Sequence, residues 1–253
     1  MIRQNPVIIL DQPQLPRNIG MVARAMLNFE LSELRLISPP LGWYNENTIA
    51  LSAGADQVLA HAKTFDSLDD CAHDLHYLYA TTARIRHMVK KIYTPREVAT
   101  IITKQTQENV KVGIVFGSEK SGLDNDAIAL TNDLIRIPTN DEFSSLNLAQ
   151  SVLTIAYELL TSRSQSTLES TPGFQDDLAP RQDLDGFLSQ LLESLDDSGY
   201  FRTQHKQKVM SRNLINIFTR IPLTTQEVRT LRGVISTLTN PNGIFSRKRK
   251  KTE

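Results

Sequence analysis

Cysteine is nearly absent: Cys71 is the only one among 253 residues, which excludes an intramolecular disulfide and a cysteine metal cluster. Net charge is absent as well, with 28 basic side chains set against 28 acidic ones. A nucleic-acid partner is therefore not announced by overall charge, and any basic surface has to be local. No apolar run approaches the roughly 20 residues that cross a bilayer. The apolar stretch near the start breaks at once into Asp11, Gln12 and Pro13, too early for a signal-peptide core, so a cytoplasmic protein is expected. The five histidines, His61, His73, His76, His87 and His205, do not cluster at ligand spacing, and no metal is expected. What remains is a chain of ordinary globular composition, 40% hydrophobic, long enough for one large domain and a small appendage.

The first two-thirds alternate strand-like and helix-like segments. Residues 7–10, 34–37, 77–80, 112–116 and 134–137 read as buried strands. Ile19, Val22, Ala23 and Met26 fall at helical spacing, as do Leu148, Val152, Ile155 and Leu159. Helices are also expected over 49–59 and 68–75, and Pro95 suits the first turn of another. This alternation predicts an α/β domain with a largely parallel sheet over residues 1–165. Residues 166–182 are rich in Ser, Thr, Gln and Pro and read as a linker. Beyond it, over 183–245, the pattern is purely helical. One stripe is formed by Leu184, Phe187, Leu188, Leu191, Leu192 and Leu195, with Gly199 as a stop. A second contains Met210, Leu214, Ile217 and Phe218. Thr224 with Glu227 reads as a capping box opening a third helix that buries Val228, Leu231, Ile235 and Leu238. A basic tail follows at 246–253, with Arg247, Lys248, Arg249, Lys250 and Lys251; a second basic run holds Arg84, Arg86, His87, Lys90, Lys91 and Arg96.

Gly117-Ser118-Glu119-Lys120-Ser121-Gly122 follows the most apolar strand and invites comparison with a phosphate-binding loop. The comparison fails: Leu123-Asp124 stands where Lys-Ser/Thr is required, and Glu119 would repel a triphosphate. No Gly-x-Gly-x-x-Gly opens a helix, so a dinucleotide fold has no support. A loop with two glycines and one carboxylate at a strand's C-terminal end suits a cationic or neutral polar ligand, bound where open α/β sheets hold theirs; taken alone, the loop reads rather more readily as a structural turn.

Three segments together resemble one family. Asn18-Ile19-Gly20-Met21-Val22-Ala23-Arg24 is similar to the first motif of the SpoU/TrmH-type SPOUT RNA 2′-O-methyltransferases. Phe116-Gly117-Ser118-Glu119-Lys120-Ser121-Gly122-Leu123 resembles the second. Ile137-Pro138 followed by Ser144-Ser145-Leu146-Asn147-Leu148-Ala149 resembles the third. Thr81-Thr82-Ala83-Arg84 and the helical tail, with Phe218-Thr219-Arg220 and Leu231-Arg232-Gly233, resemble a tRNA-modifying subgroup acting at nucleotide 32 beside the anticodon loop.

The resemblance implies a SPOUT-type parallel sheet with a C-terminal trefoil knot, a small all-helical domain after it, and a homodimer whose subunits complete each other's sites. It implies S-adenosylmethionine as cofactor, contacted by Thr81, Thr82, Ala83, Gly117, Ile137, Ser144, Ser145 and Leu146, and tRNA as substrate. Arg24, Asn18, Glu119 and Asn147 are the implied catalytic group, and Arg24, Arg84, Arg86 and Lys90 the implied RNA contacts. The three motifs are shared with enzymes of ribosomal RNA loops, so only the helical extension favours tRNA; the intact Asn18, Arg24, Glu119 and Asn147 argue against a catalytically silent RNA-binding protein. A guanidinium stays protonated and cannot serve as general base, so Arg24 is expected to stabilise developing negative charge on the ribose oxygen. Trp43 is expected to pack rather than to stack on a base, and Cys71 to be a small buried hydrophobe.

Overall fold

In the computed structural model, residues 5–83, 89–165, 178–201 and 203–239 are described. Residues 84–88, with Arg84, Arg86 and His87, lie outside that set, as do Arg202, most of the linker and the basic tail. Seven parallel strands form one sheet in the order β3-β2-β1-β6-β4-β7-β5. They are β1 Val7–Asp11, β2 Leu34–Ile37, β3 Lys63–Phe65, β4 Tyr77–Thr81, β5 Ile92–Tyr93, β6 Val112–Phe116 and β7 Asp133–Ile135. The central strands β1 and β6 are apolar on both faces, because helices cover both sides of the sheet.

On one side lie α1 Pro16–Asn28, α5 Pro95–Gln107 and α7 Leu148–Gln165. They bury Ile19, Val22 and Met26, then Val98 and Ile102, then Val152, Ile155 and Leu159 against the sheet, and Trp43 packs partly buried beside them. Pro95 occupies the first turn of α5 behind a Thr94–Glu97 capping box. On the other side α4 Leu68–Ala72 and α6 Asn125–Ala129 pack through Cys71, Ala72, Ala127 and Ile128. The expected 49–59 helix is instead two, α2 Glu46–Ser52 and α3 Asp56–Ala60. The break falls at Ala53 and Gly54, both with positive φ, where a regular helix cannot continue. α2 lies so near α1 that a Cβ on Gly20 would come within 2.2 Å of the Thr48 carbonyl oxygen.

Three further helices, α8 Arg181–Asp197, α9 Gln204–Thr219 and α10 Thr225–Thr239, share a small core of Phe187, Leu188, Val228 and Ile235. Phe187 and Phe218 meet edge to face, with ring centroids 4.8 Å apart. Gly199 follows α8 with φ +73°, as a stop should. The third helix opens on the expected capping box: the Glu227 carboxylate accepts from the Thr224 backbone N–H at 2.7 Å, and Glu227 N–H donates to Thr224 Oγ1. Leu238 departs from expectation. It is 75% exposed. α8 also starts two residues inside the segment read as linker: Arg181 N–H donates to Leu75 O and Gln182 N–H to His73 O, docking the helical unit on α4's end of the sheet.

Candidate active site

Ligands of parallel sheets gather at the C-terminal strand ends, and the cavity lies there, beside β4, β6 and β7. It encloses about 210 Å³. Its floor is the loop after β6. That loop folds on itself through the Gly122 N–H to Ser118 carbonyl bond of 2.9 Å and a 2.8 Å Ser118–Ser121 hydroxyl contact. The turn needs both glycines: Gly122 has φ +67°, and a Cβ on Gly117 would lie 2.2 Å from the Gly122 carbonyl carbon. Thr81, Thr82 and Ala83 form one wall; Ile137, Ser144, Ser145 and Leu146 form the other. All eight residues expected to touch cofactor thus line one cavity.

The lining fits an amphiphilic ligand of the S-adenosylmethionine type. Ile137, Leu146 and Leu148 contribute apolar lining suited to an aromatic base, and Thr81, Thr82, Ser144, Ser145 and Ser151 contribute hydroxyls. Thr81 is itself anchored, its hydroxyl donating to Val115 O at 3.1 Å.

Three of the four expected catalytic side chains form one chain of hydrogen bonds. Asn18, only 2% exposed, donates from Nδ2 to the Glu119 carboxylate at 2.6 Å. Asn147 Nδ2 donates to Asn18 Oδ1 at 3.3 Å, and Asn147 Oδ1 accepts from Ala149 N–H at the start of α7. Glu119 also accepts from the backbone N–H groups of Gln14 (2.8 Å) and Leu15 (3.4 Å). Leu15 is the N-cap of α1 and has no side-chain cap of its own. Glu119 therefore caps from a distance, its charge beside the positive end of the helix. This carboxylate ties the cavity floor to α1, and Asn18 relays the tie to α7.

Arg24 stands apart. It is six residues beyond Asn18, about 9 Å along the helix and turned by about 240°, so it projects from another face. It is exposed, does not line the cavity, and makes no ion pair with a described residue. The expected RNA contact Lys90 is a correction. Its ammonium donates inward to Thr131 O at 2.5 Å, and to Ala129 O and Thr219 Oγ1 at 3.3 Å each, so it is not available to a phosphate. Arg84 and Arg86 lie outside the described residues. Lys91, Lys206, Lys208 and Arg220 are exposed; Arg212 pairs with Asp126. No His, Cys, Asp and Glu group able to hold a metal occurs among the described residues.

Nothing in the sequence singles out Asp11, at the C-terminal end of β1. Burial and the nearby Asp124, the N-cap of α6, push its carboxyl up to about 6. The two acids are 113 residues apart in the chain, and no local pattern encodes their approach.

Parallel sheet, self-closing glycine loop and the Asn–Glu–Asn chain together match a methyltransferase scaffold. A model of the SpoU rRNA methylase family matches residues 5–157, and one of the C-terminal domain of the tRNA methyltransferase TrmJ matches 182–252. The tRNA (cytidine/uridine-2′-O-)-methyltransferase TrmJ of Pectobacterium atrosepticum is 35% identical over 232 residues, 91% of this chain and 95% of its own length. That of Photorhabdus laumondii is 36% identical over 238 residues, 93% and 97% of the two chains. The crystal structure of TrmJ from Z. mobilis superposes with a TM-score of 0.83 at 40% identity, covering 92% of this chain and 99% of that one. The chain belongs to the SpoU methylase family and, within it, to the TrmJ group.

Proposed function

We propose that this protein methylates a ribose 2′-hydroxyl of tRNA, on cytidine or uridine at position 32, with S-adenosylmethionine as methyl donor. The observation that carries the reading is the convergence on one strand-end cavity of Thr81–Ala83, the Gly117–Gly122 loop and the 137–146 segment, with Glu119 and Asn18 at its margin. The full-length likeness to TrmJ relatives supports tRNA over a ribosomal RNA loop, because it includes the helical unit.

When bound, the cofactor supplies a methyl already activated on a sulfonium, so the protein's task is alignment and charge. The hydroxyls of Thr81, Thr82, Ser144 and Ser145 hold its polar ends, and Ile137 and Leu146 its base. Glu119, Asn18 and Asn147 keep the loop, α1 and α7 in register. Arg24 offers a planar fork of donors to the ribose oxygen as it gains negative charge, and a water or phosphate oxygen takes the proton.

Arg24's distance from the cavity of its own chain supports a homodimer in which it serves the partner's cofactor. Exposed apolar side chains on α7, Leu153 at 44% and Tyr157 at 51%, supply a face for such a contact beside α1. Membership of the SpoU methylase family supports a trefoil knot in the C-terminal half of the sheet, with which the order β6-β4-β7-β5 is compatible. No helix of the described residues is long and apolar enough to cross a membrane, which agrees with a cytoplasmic enzyme working on tRNA. Incubating unmodified tRNA with the enzyme and methyl-labelled S-adenosylmethionine tests the reading. Label should appear in 2′-O-methylated nucleosides; label in base-methylated nucleosides, or none, would reject it.

A further inference from the structure

The carbonyls of Ala129 and Leu130, the last residue and C-cap of α6, are orphan acceptors of the kind any helix leaves at its C-terminus, and that of Thr131 follows directly. None of their partners comes from α6. Lys90 Nζ reaches Ala129 and Thr131, Arg181 donates to Leu130, and the Thr219 hydroxyl lies 2.7 Å from Ala129 O. These partners come from the segment after β4, the start of α8 and the last turn of α9. The seam between the sheet domain and the helical unit is thus a shared helix cap.

Thr219, wholly buried, sits at its centre and is tied both to Lys90, just ahead of β5, and through Asn132 to β4. Its hydroxyl accepts from Lys90 at 3.3 Å. Its carbonyl accepts from Asn132 Nδ2 at 2.6 Å, and Asn132 Oδ1 accepts from the Leu78 N–H of β4 at 2.7 Å. Asn132 N–H returns a bond to Leu78 O at 2.8 Å. Three residues beyond Leu78 comes Thr81, the first of the cavity-wall residues Thr81–Ala83. Burial, with Arg181 and Arg220 close by, pulls the Lys90 pKa down to about 7.

Resting on the reading of the cavity as the cofactor site, we propose that Thr219 and Lys90 are positioning residues. They let the helical unit hold the Thr81–Ala83 wall of the cavity in its binding geometry. The extension then acts on cofactor affinity through this seam, separately from any contact it makes with RNA.

The test uses the full chain and S-adenosylhomocysteine calorimetry without RNA. Thr219→Val removes the hydroxyl at constant shape, Thr219→Ser restores it, and Lys90→Met keeps the stem and removes the donors. Both Thr219→Val and Lys90→Met should weaken binding about fivefold, within the range of coupling carried by packed networks. Thr219→Ser should bind within about twofold of wild type, and Lys90→Met should keep its thermal midpoint within a few degrees. Wild-type affinity in Thr219→Val and Lys90→Met, whatever their stability, would overturn the proposal. Absence of binding by the wild-type protein would instead reject the cofactor reading itself, and the inference with it.

Discussion

Arg24 is exposed on α1 and spends its guanidinium on no described partner, while the neighbouring Asn18 is buried and fully engaged. Asn18 thus ties α1 to the loop after β6 and to α7, and Arg24 is the side chain we propose for the substrate. Arg24→Ala should therefore abolish methyl transfer while S-adenosylhomocysteine binding survives. Arg24→Lys should fail nearly as badly, since a point charge does not reproduce a planar fork. Single-turnover rates near wild type in the alanine variant would remove Arg24 from the reaction. Asp11 gives a prediction of the opposite kind. Its folded pKa, about 6, lies above its unfolded value of 3.8, so the group favours folding below pH 4 and loses that contribution as pH rises through 6. Asp11→Asn should then stabilise the protein at pH 7.5 by about 1–2 kcal/mol, a figure reduced for partial exposure. The gain should vanish below pH 4. Thermal midpoints at the two pH values check it; a gap that stays constant or grows in acid would contradict the assignment. At this scale the cavity wall was legible, because Thr81–Ala83, Gly117 and Ser144–Leu146 carry family motifs, whereas the inward turn of Lys90 was not. A basic run looks the same in sequence whether a member faces solvent or caps a distant helix.

α1 and α7 declared themselves through periodicity, each presenting several turns of one apolar face to the sheet, and α5 through the proline of its first turn. β3, β5 and α6 have three, two and five residues, too few for a period to emerge, and their pairing is set by neighbours already in place. The expected single helix over 49–59 failed for a local reason, the positive φ at Ala53 and Gly54. α1 shows how tightly elements constrain one another. With the Thr48 carbonyl oxygen 2.2 Å from where a Cβ would sit, Gly20→Ala must push α2 away from α1. We expect a loss of about 1–3 kcal/mol, the usual cost of overpacking. Denaturant titration measures it, and an unchanged midpoint would mean that the α1–α2 contact is looser than described.

For the whole molecule, the helical unit is docked on the sheet's α4/α6 side, whereas α1 and α7, proposed to face the partner subunit, occupy the other. Removing residues 178–253 should consequently leave a dimer, seen by light scattering as twice the truncated chain's mass. Such a dimer should methylate tRNA poorly, with weaker and less salt-dependent tRNA binding, because exposed cations such as Lys206, Lys208 and Arg220 go with it. Equal tRNA methylation by the truncated dimer at physiological salt would show that the extension serves stability alone. The division into a sheet domain and a helical unit was readable from the change in pattern, but the seam between them was not, since it is made of backbone carbonyls. Methylation of one ribose in one RNA is checked by digesting enzyme-treated tRNA with a base-specific ribonuclease and mapping the methyl group by mass spectrometry. We expect a gain of one methyl confined to the anticodon-arm fragment, on the ribose of the cytidine or uridine at position 32; a methyl in any other fragment, or on a base, would overturn the proposed function.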